Sequence, residues 1–346
     1  MKIQEALSYD DVLLVPRHSD ILSRSEVNLQ SFLGNLSFDF PVISAPMDTV
    51  TEASMCIAMN DAGGLGVVHR YNTIEEQVEI IKDIINYFPA VHQIRPAAAI
   101  GITNDFYERA QALREAGVKI LCLDVAHGHH TLMRDALLKL KDLFGEEIHL
   151  MAGNVAMCSA FEDLAHWGAD SIKVGIGGGS ICSTRIQTGH GIPTFHSILQ
   201  CLKADIDRDV KIIADGGLRT SGDIVKALGA GADFVMLGSM LAGTDQSPGE
   251  LYTNIHGEQV KSYRGMASQE AQTEWRGKMG SNEGISTFIP HKGSVYPILD
   301  ELKRGIRSGL SYSGCRSILE FQASATFIKQ TNAGQAESRT HILERN

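Results

Sequence analysis

The chain has 346 residues, of which 43% are hydrophobic and 21% are charged, and its formal net charge is −10. This composition is typical of a globular protein, and the negative charge argues against general binding of nucleic acid. The sequence has no run of about 18 apolar residues and no apolar segment behind a basic N-terminus, so we expect neither a membrane span nor a signal peptide.

Eight short apolar segments alternate with helical segments along most of the chain. The predicted strands span residues 41–46, 64–69, 97–102, 119–125, 149–155, 171–176, 211–217 and 233–239. The predicted helices span residues 73–88, 105–117, 130–145, 157–170 and 220–233. Near-continuous apolar strands that alternate with helices predict a parallel sheet, and eight such units predict a single α/β domain over residues 1–346, a (β/α)8 TIM barrel. A doubly wound open sheet is the alternative.

Polar residues or glycines follow six of the predicted strands at their carboxyl ends. They are Asp48, Asp124, His127, Asn154, the loop 175–182, Asp215, Gly238 and Ser239. In a barrel these strand ends share one face, which is the face that carries active sites. Each residue alone also fits an ordinary turn, but six strand ends with the same character predict a functional site there.

The pattern changes after the eighth strand. Residues 247–290 are polar and rich in glycine, and they predict a hairpin that turns at His256 and Gly257, followed by a mobile flap at about 267–284. A helix at 294–310 closes the domain, and the tail at about 330–346 is expected to be frayed. The gap from Arg70 to Ala97 holds one helix, so we expect no inserted domain there.

The stretch "GIGGGSICSTR" at 175–185 combines bare backbone with one thiol. Successive glycine N–H groups form an anion cup, and barrels often hold phosphate in the loops after strands seven and eight, which here are "ADGG" (214–217) and "LGSM" (237–240). With Ser180, these loops predict a site for one phosphomonoester. Asp215 suits a ribose diol, because a carboxylate accepts two hydroxyl hydrogen bonds, although it also fits a helix cap.

Cys182 is the candidate nucleophile among the six cysteines. A thiolate is favoured by nearby N–H dipoles and cations, which a helix N-terminus and Arg185 would supply. The other five cysteines fall in strand or helix patterns or near the closing helix and are interpreted as packing residues. No pair has CxxC or zinc-like spacing, which predicts free thiols in a reducing cytoplasm.

Long motifs of the chain resemble one family. "SYDDVLLVP", "PVISAPMDTVTE", "LDVAHGH", "MAGNV", "KVGIGGGSICSTR", "IIADGG", "GADFVMLGSMLAG" and "YRGM" are similar to the inosine monophosphate dehydrogenase / GMP reductase family, from about Tyr9 to Tyr312. The resemblance implies a (β/α)8 barrel assembled as a homotetramer, with Cys182 attacking C2 of a purine nucleotide. Gly178 departs from the family, which usually has proline there.

The resemblance also implies roles for individual residues. Phosphate would be bound by Ser180, Gly217, Gly238 and Ser239, ribose by Asp215, and the base near Met266, Ala267 and Ser268. The nicotinamide cofactor would lie near Asp124 and Asn154. The carbonyls of Gly177, Gly179 and Cys182 match a potassium loop of the relatives, which Gly178 puts in question.

The family has two branches, which share a covalent purine–cysteine adduct. The dehydrogenase oxidises IMP with NAD and hydrolyses the adduct with an arginine–tyrosine pair on a long flap. The reductase expels ammonia from GMP and uses NADPH to give IMP. Here the flap is short, it has no tyrosine, and Arg276 is followed by glycine, which favours the reductase branch and purine salvage.

Three further residues match the reductase. Thr184 and Glu283 match the pair that supplies a proton to the departing amine, since a hydroxyl relays protons and a carboxyl donates one. Arg70 stands where reductases carry a basic residue, which suits the 2′-phosphate of NADPH. "YRGM" and "RIQTG" resemble the dehydrogenases equally well, so a dehydrogenase without the regulatory domain is the alternative. A flavin-dependent barrel oxidase and a nucleotide sensor without turnover also stay open.

Overall fold

A hairpin formed by the N-terminal region closes one end of a barrel. The computed structural model describes residues 3–88, 94–277, 280–338 and 340. After β1 (Val12–Leu14), strands β2 (Ser31–Leu33) and β3 (Leu36–Phe38) pair antiparallel. Leu33 and Phe38 belong to the cluster of side chains inside the barrel, and the ring of Phe38 meets Phe234 edge-on at 5.5 Å between centroids. The hairpin therefore plugs the end opposite the predicted site.

Eight parallel strands form the closed barrel, which confirms the predicted (β/α)8 fold. They are β4 (Val42–Ser44), β5 (Leu65–Val68), β6 (Ala97–Ile100), β7 (Ile120–Asp124), β8 (His149–Val155), β9 (Ser171–Val174), β10 (Lys211–Asp215) and β11 (Phe234–Leu237). Each strand pairs with its neighbour in chain order, and β11 closes the ring on β4. All eight predicted strands are present, because each is a short apolar run buried on both faces.

Helices surround the barrel. They are α1 (Ala53–Asp61), α2 (Ile74–Tyr87), α3 (Phe106–Glu115), α4 (Thr131–Phe144), α5 (Cys158–His166), α6 (Thr184–Thr188), α7 (Thr194–Cys201) and α8 (Ser221–Gly229). The sequence did not predict α1, α6 and α7, because α1 has no broad polar face and because α6 and α7 have only five and eight residues. Where a capping box is present the start is well defined, as at Thr73 and Glu76 before α2.

The region after the barrel is more ordered than its composition predicts. Strands β12 (Tyr252–Thr253) and β13 (Gln259–Arg264) form the predicted hairpin, and β14 (Ser286–Pro290) adds a third strand. Between β13 and β14 the predicted flap contains helix α9 (Gln269–Arg276), so this segment is not an irregular loop; residues 278 and 279 lie outside the described residues.

The chain closes with α10 (Tyr296–Tyr312) and α11 (Ile318–Ser324), followed by β15 (Phe327–Lys329), which pairs antiparallel with β1. The tail from residue 330, expected to be frayed, forms α12 over Asn332–Glu337, because Thr331 caps the helix and Gln330 bonds to the backbone of Asp10 and Asp11. Residues 341–346 lie outside the described residues. All six cysteines carry free thiols. Within the described ranges, no helix has the length and apolarity to cross a bilayer.

The buried side chain of His149 should make the free energy of unfolding depend on pH. It is buried at the start of β8, 2.8 Å from the hydroxyl of Ser171, and burial lowers its pKa to about 4. Between the unfolded value of about 6.5 and about 4, the unfolded chain takes up a proton that the native protein refuses. The free energy of unfolding should therefore fall with decreasing pH across this window, by about 3 kcal/mol in full.

Urea titrations at several pH values measure this effect. His149→Gln should flatten the pH dependence between about 6.5 and about 4, whereas the exposed His166→Gln should leave it unchanged. Equal slopes for all three proteins would show that His149 is not the titrating group.

Candidate active site

Two adjoining clefts open at the carboxyl ends of the barrel strands and meet at Cys182. Their volumes are about 480 Å³ and about 290 Å³. Both are lined by Cys182, Thr184, Asp215, Met266 and Glu283, among other residues. Residues from the β9, β10 and flap segments thus meet at one point, as the shared face of a barrel requires.

Cys182, Thr184 and Glu283 form a continuous hydrogen-bonded chain. The Cys182 thiol donates to Thr184 Oγ1 at 3.2 Å, and the Thr184 hydroxyl donates to Glu283 Oε2 at 2.9 Å. None of the three is fully buried, so all remain accessible from the cleft. A thiol, a hydroxyl and a carboxylate in series can pass a proton in either direction. The three residues predicted as catalytic are therefore brought together.

Backbone contacts hold the glycine loop and the flap against each other. Gly175 has φ of +147°, and a Cβ there would lie 1.9 Å from the carbonyl oxygen of Asp215, so only glycine fits. Ser183 N–H donates to the Glu283 carbonyl at 2.9 Å, and Ile285 N–H donates to the Ile181 carbonyl at 3.0 Å. These bonds place the carboxylate of the flap beside the thiol.

The side chain of Arg185 bonds to a backbone carbonyl. Its guanidinium donates to the Ile192 carbonyl at 2.9 Å and its side chain lies beside Gly177 and Gly191. The helix that begins at Thr184, α6, has only five residues, so its dipole is weak. The described partners of Cys182 are instead Thr184 and the backbone of the loop and flap.

The smaller cleft has the composition of a phosphate site. Ser180, Gly217, Gly238 and Ser239, all predicted from the sequence, line it. Tyr263, to which sequence analysis gave no role, adds a hydroxyl 3.3 Å from Ser180 Oγ. Burial raises the pKa of Tyr263, so its phenol stays protonated and can donate a hydrogen bond. A Cβ on Gly238 would lie 3.2 Å from this hydroxyl, which explains the bare backbone there.

A buried lysine, which sequence analysis missed, joins two predicted residues. Lys173 on β9 has a side chain only 2% exposed, and its Nζ pairs with Asp124 and lies 3.5 Å from Asp215 Oδ2. Burial alone would lower its pKa, but Asp124 and Asp215 act in the opposite direction and the net shift is upward. Lys173 is therefore a permanent cation, and its position within the apolar run "SIKV" was the available signal.

The side-chain amide of Asn154 is hydrogen-bonded to other residues of the site. Its Nδ2 donates to Asp215 Oδ2 and to the Gly175 carbonyl, both at 2.8 Å. Asp215 is therefore oriented from two sides, by an amide and by the ammonium of Lys173. This leaves its other oxygen, Oδ1, to accept bonds from a bound molecule.

Of the residues predicted to lie near the base, two line the clefts and one does not. Met266 and Ala267 line both clefts, and Tyr71 donates to the Met266 carbonyl at 2.7 Å. Ser268 lies apart from both clefts: its side chain is fully buried, and its hydroxyl accepts from Ala271 N–H as the cap of α9. The Ser268 hydroxyl thus caps α9, and its contact with a nucleotide stays a prediction.

Arg70 lines both the cleft of about 480 Å³ beside Cys182 and a further cleft of about 600 Å³, which Trp275 also lines. On another side, a cleft of about 650 Å³ shares Thr184 and Glu283 with the cleft of about 480 Å³ beside Cys182. There is room beside Cys182 for a second extended molecule, and Arg70 offers a cation to it. These features fit a dinucleotide that carries phosphate groups.

In the predicted potassium loop, the Gly179 carbonyl accepts from Cys182 N–H at 3.1 Å. This bond leaves one lone pair of that oxygen for a cation. Potassium binding by Gly177, Gly179 and Cys182 stays a prediction.

The fold and the site define a (β/α)8-barrel protein with a nucleotide-sized cleft and a cysteine linked to a hydroxyl and a carboxylate. The chain belongs to the IMP dehydrogenase / GMP reductase family, whose domain model matches residues 6–341. This is a family of oxidoreductases of purine metabolism that use nicotinamide cofactors.

Members of both branches are similar to this chain. An inosine-5′-monophosphate dehydrogenase from Nitrosopumilus maritimus is 34% identical, with 99% of each chain covered. A GMP reductase from Leishmania major is 29% identical, with 99% of this chain and 98% of the relative covered. The solved structure of GMP reductase from Trypanosoma brucei in complex with guanosine 5′-monophosphate has a TM-score of 0.92 and 31% identity, with 98% of both chains covered.

Proposed function

We propose that this protein is an NADPH-dependent GMP reductase that converts GMP to IMP and ammonia in purine salvage. The observation that carries the proposal is the chain of hydrogen bonds from Cys182 through Thr184 to Glu283. Reductive deamination needs a nucleophile for C2 of the base and a proton for the departing amine. The Cys182 thiol is the nucleophile, and hydrogen bonds of 3.2 Å and 2.9 Å link it through Thr184 to Glu283, which supplies the proton.

In the first half of the reaction the thiol sulfur of Cys182 bonds to C2 of guanine. The thiol proton passes through the Thr184 hydroxyl to Glu283, which returns it to the 2-amino group. The C2–N bond then breaks and ammonia leaves, so that C2 stays attached to sulfur as a thioimidate. Thiol and GMP are thereby converted to the adduct and ammonia, with no oxidation or reduction.

The second half replaces sulfur with hydrogen. When bound, NADPH would supply the hydride that replaces sulfur at C2, which would leave NADP+, IMP and the Cys182 thiolate. The protein holds the adduct during this step: Asp215 binds the ribose, Tyr263 and Ser180 bind the phosphate, and Met266 with Ala267 lies beside the base. Asp124 and Asn154 border the cleft on the side proposed for the nicotinamide, and Arg70 is the proposed contact of the 2′-phosphate.

The composition of the flap supports the reductase branch. Residues 267–284 include no tyrosine, and Arg276 is followed by Gly277, so the flap lacks the arginine–tyrosine pair that activates water in the dehydrogenases. Hydrolysis of the adduct would then have no assigned base. The carboxylate of Glu283 is bonded to Thr184 and thereby to the thiol, where it serves amine release.

The alternative is an IMP dehydrogenase without the regulatory domain, which would convert IMP and NAD to XMP. A specific observation favours it: the 34% identity to the Nitrosopumilus maritimus dehydrogenase exceeds the 29% identity to the Leishmania major reductase. For either branch, we propose a cytoplasmic homotetramer with potassium at the glycine loop. Size-exclusion chromatography with light scattering and an assay with and without potassium check these points.

Two cuvettes of purified protein separate the branches, one with GMP and NADPH and the other with IMP and NAD. We expect the absorbance of NADPH to fall only with GMP, with one ammonia released per NADPH consumed. Formation of NADH with IMP instead would overturn the reductase proposal and establish the dehydrogenase. No absorbance change in either cuvette, with GMP still bound by the protein, would indicate a nucleotide sensor. A yellow purified protein would indicate a flavin-dependent enzyme.

A further inference from the structure

Gln272 holds the two branches of the flap together. It lies on α9 with only 4% of its surface exposed. Its Nε2 donates to the Ala267 carbonyl at 2.8 Å and to the Ser281 carbonyl at 3.0 Å, and its Oε1 accepts from Gly280 N–H at 2.8 Å. Two carbonyls face the nitrogen and one N–H faces the oxygen, so the surrounding backbone fixes the orientation of the amide.

One of these bonds leads directly to the proposed proton donor. The Ser281 carbonyl that accepts from Gln272 also accepts from Glu283 N–H at 3.1 Å. On the other side, Ser183 N–H donates to the Glu283 carbonyl at 2.9 Å. The backbone of Glu283 is thus held between the amide of Gln272 and the loop that carries the thiol.

Another bond leads to the base. Ala267, whose carbonyl Gln272 holds, lines both clefts beside the proposed purine position. The helix itself has separate anchors, since Glu274 pairs with Arg264 at 2.6 Å and the ring of Trp275 packs on Tyr71 at 6.3 Å. Loss of the Gln272 amide would therefore free Gly280 and Ser281 from α9, while these anchors of α9 and the bonds from Ser183 to Asn282 and Glu283 remain.

We infer that Gln272 is a positioning residue that sets Glu283 against Thr184 and couples this placement to the backbone beside the base. Gln272 acts through the flap backbone, and its effect is on release of the 2-amino group. The inference rests on the proposed reductase function for its kinetic consequence, although the placement of the flap itself is independent of the reaction.

The test compares Gln272→Met, which keeps length and loses the amide, with Gln269→Met on the exposed side of the same helix. Turnover of GMP by Gln272→Met should fall about tenfold or more, because a small misplacement of a reacting group has a large kinetic cost. The dissociation constant of GMP should change less than about threefold. Gln269→Met should match the wild type.

A second substrate separates positioning from general damage. In the 2-chloro analogue of the nucleotide, chloride leaves without a proton from Glu283, and at alkaline pH the solvent takes the thiol proton, so neither step depends on the placement of Glu283. Gln272→Met should therefore process this analogue with NADPH nearly as fast as the wild type. An equal loss with both substrates, or no loss with GMP, would overturn the inference.

Amide hydrogen exchange provides a readout that needs no turnover. Peptides covering 280–285 should exchange faster in Gln272→Met than in Gln269→Met, with α10 unchanged; equal exchange in both would also overturn the inference. If Gln272→Met does not fold, Gln272→Glu keeps the acceptor for Gly280 and loses both N–H donors, and it should likewise exchange faster over 280–285 and turn over GMP more slowly.

A wild-type protein that is inactive with GMP would contradict the proposed function. Hydrogen exchange would still test whether Gln272 holds the flap.

Discussion

Replacement of Cys182 by alanine should abolish conversion of GMP while leaving the nucleotide bound. The thiol is the proposed nucleophile for C2, and loss of a catalytic nucleophile lowers kcat by about 10⁴-fold or more. The proposed phosphate and ribose contacts come from other residues, among them Tyr263 and Asp215, so the affinity for GMP should stay within about threefold of the wild type. Stopped-flow assays of NADPH consumption and calorimetric titration with GMP measure the two quantities.

The matched control is Cys158→Ala, which removes a half-buried thiol on α5 whose described partner is Glu162. This variant should keep full activity. Denaturation of the proteins and mass spectrometry give a further check, because GMP should leave a covalent adduct on wild-type protein and none on Cys182→Ala. Turnover by Cys182→Ala within about tenfold of the wild type would contradict covalent catalysis.

Replacement of Lys173 by methionine should destabilise the whole barrel. The variant leaves Asp124 and Asp215 facing each other without the buried cation that now lies between them. Breaking a buried ion pair by removing one partner costs about 3–5 kcal/mol of the free energy of unfolding. The affinity for GMP should fall as well, because Lys173 orients the carboxylate proposed to bind ribose. Urea unfolding and calorimetry measure both effects.

Two further proteins test the physical reason for the effect. Lys203→Met, at an exposed lysine, should change the free energy of unfolding by less than about 0.5 kcal/mol. The double variant Lys173→Met with Asp124→Asn removes one of the two uncompensated charges and should recover part of the lost stability. An unchanged free energy of unfolding for Lys173→Met would show that the pairing with Asp124 and Asp215 contributes nothing net.

Sequence patterns predicted the site unevenly. The phosphate loops were predictable because each lies within one short segment after an apolar strand. The contact between Thr184 and Glu283 joins residues 99 positions apart, so their pairing was expected from the family resemblance and not from any local pattern. Gln272 had no signal at all, since the flap was predicted as a mobile segment and nothing in its sequence indicates that this amide faces three backbone groups.

The structure also shows protein partners for residues that the sequence had placed near a ligand or the thiol. Ser268 caps α9, Arg185 bonds to the Ile192 carbonyl, and the amide of Asn154 orients Asp215. In each case the residue lies in the predicted segment, but its side chain meets a protein partner. Composition and spacing indicate which segments approach the site, whereas the direction of a side chain depends on neighbours that are distant in the chain.

By itself the sequence determined the eightfold alternation of strand and helix, the barrel, and the face on which the loops gather. These follow from apolar runs and periodicities read within about ten residues, which local geometry sets. Only the tertiary structure decided that Lys173 meets Asp124 and Asp215, and that the amide of Gln272 joins the two branches of the flap. Such pairs depend on strand register and on closure of the barrel, which bring together side chains from separate segments.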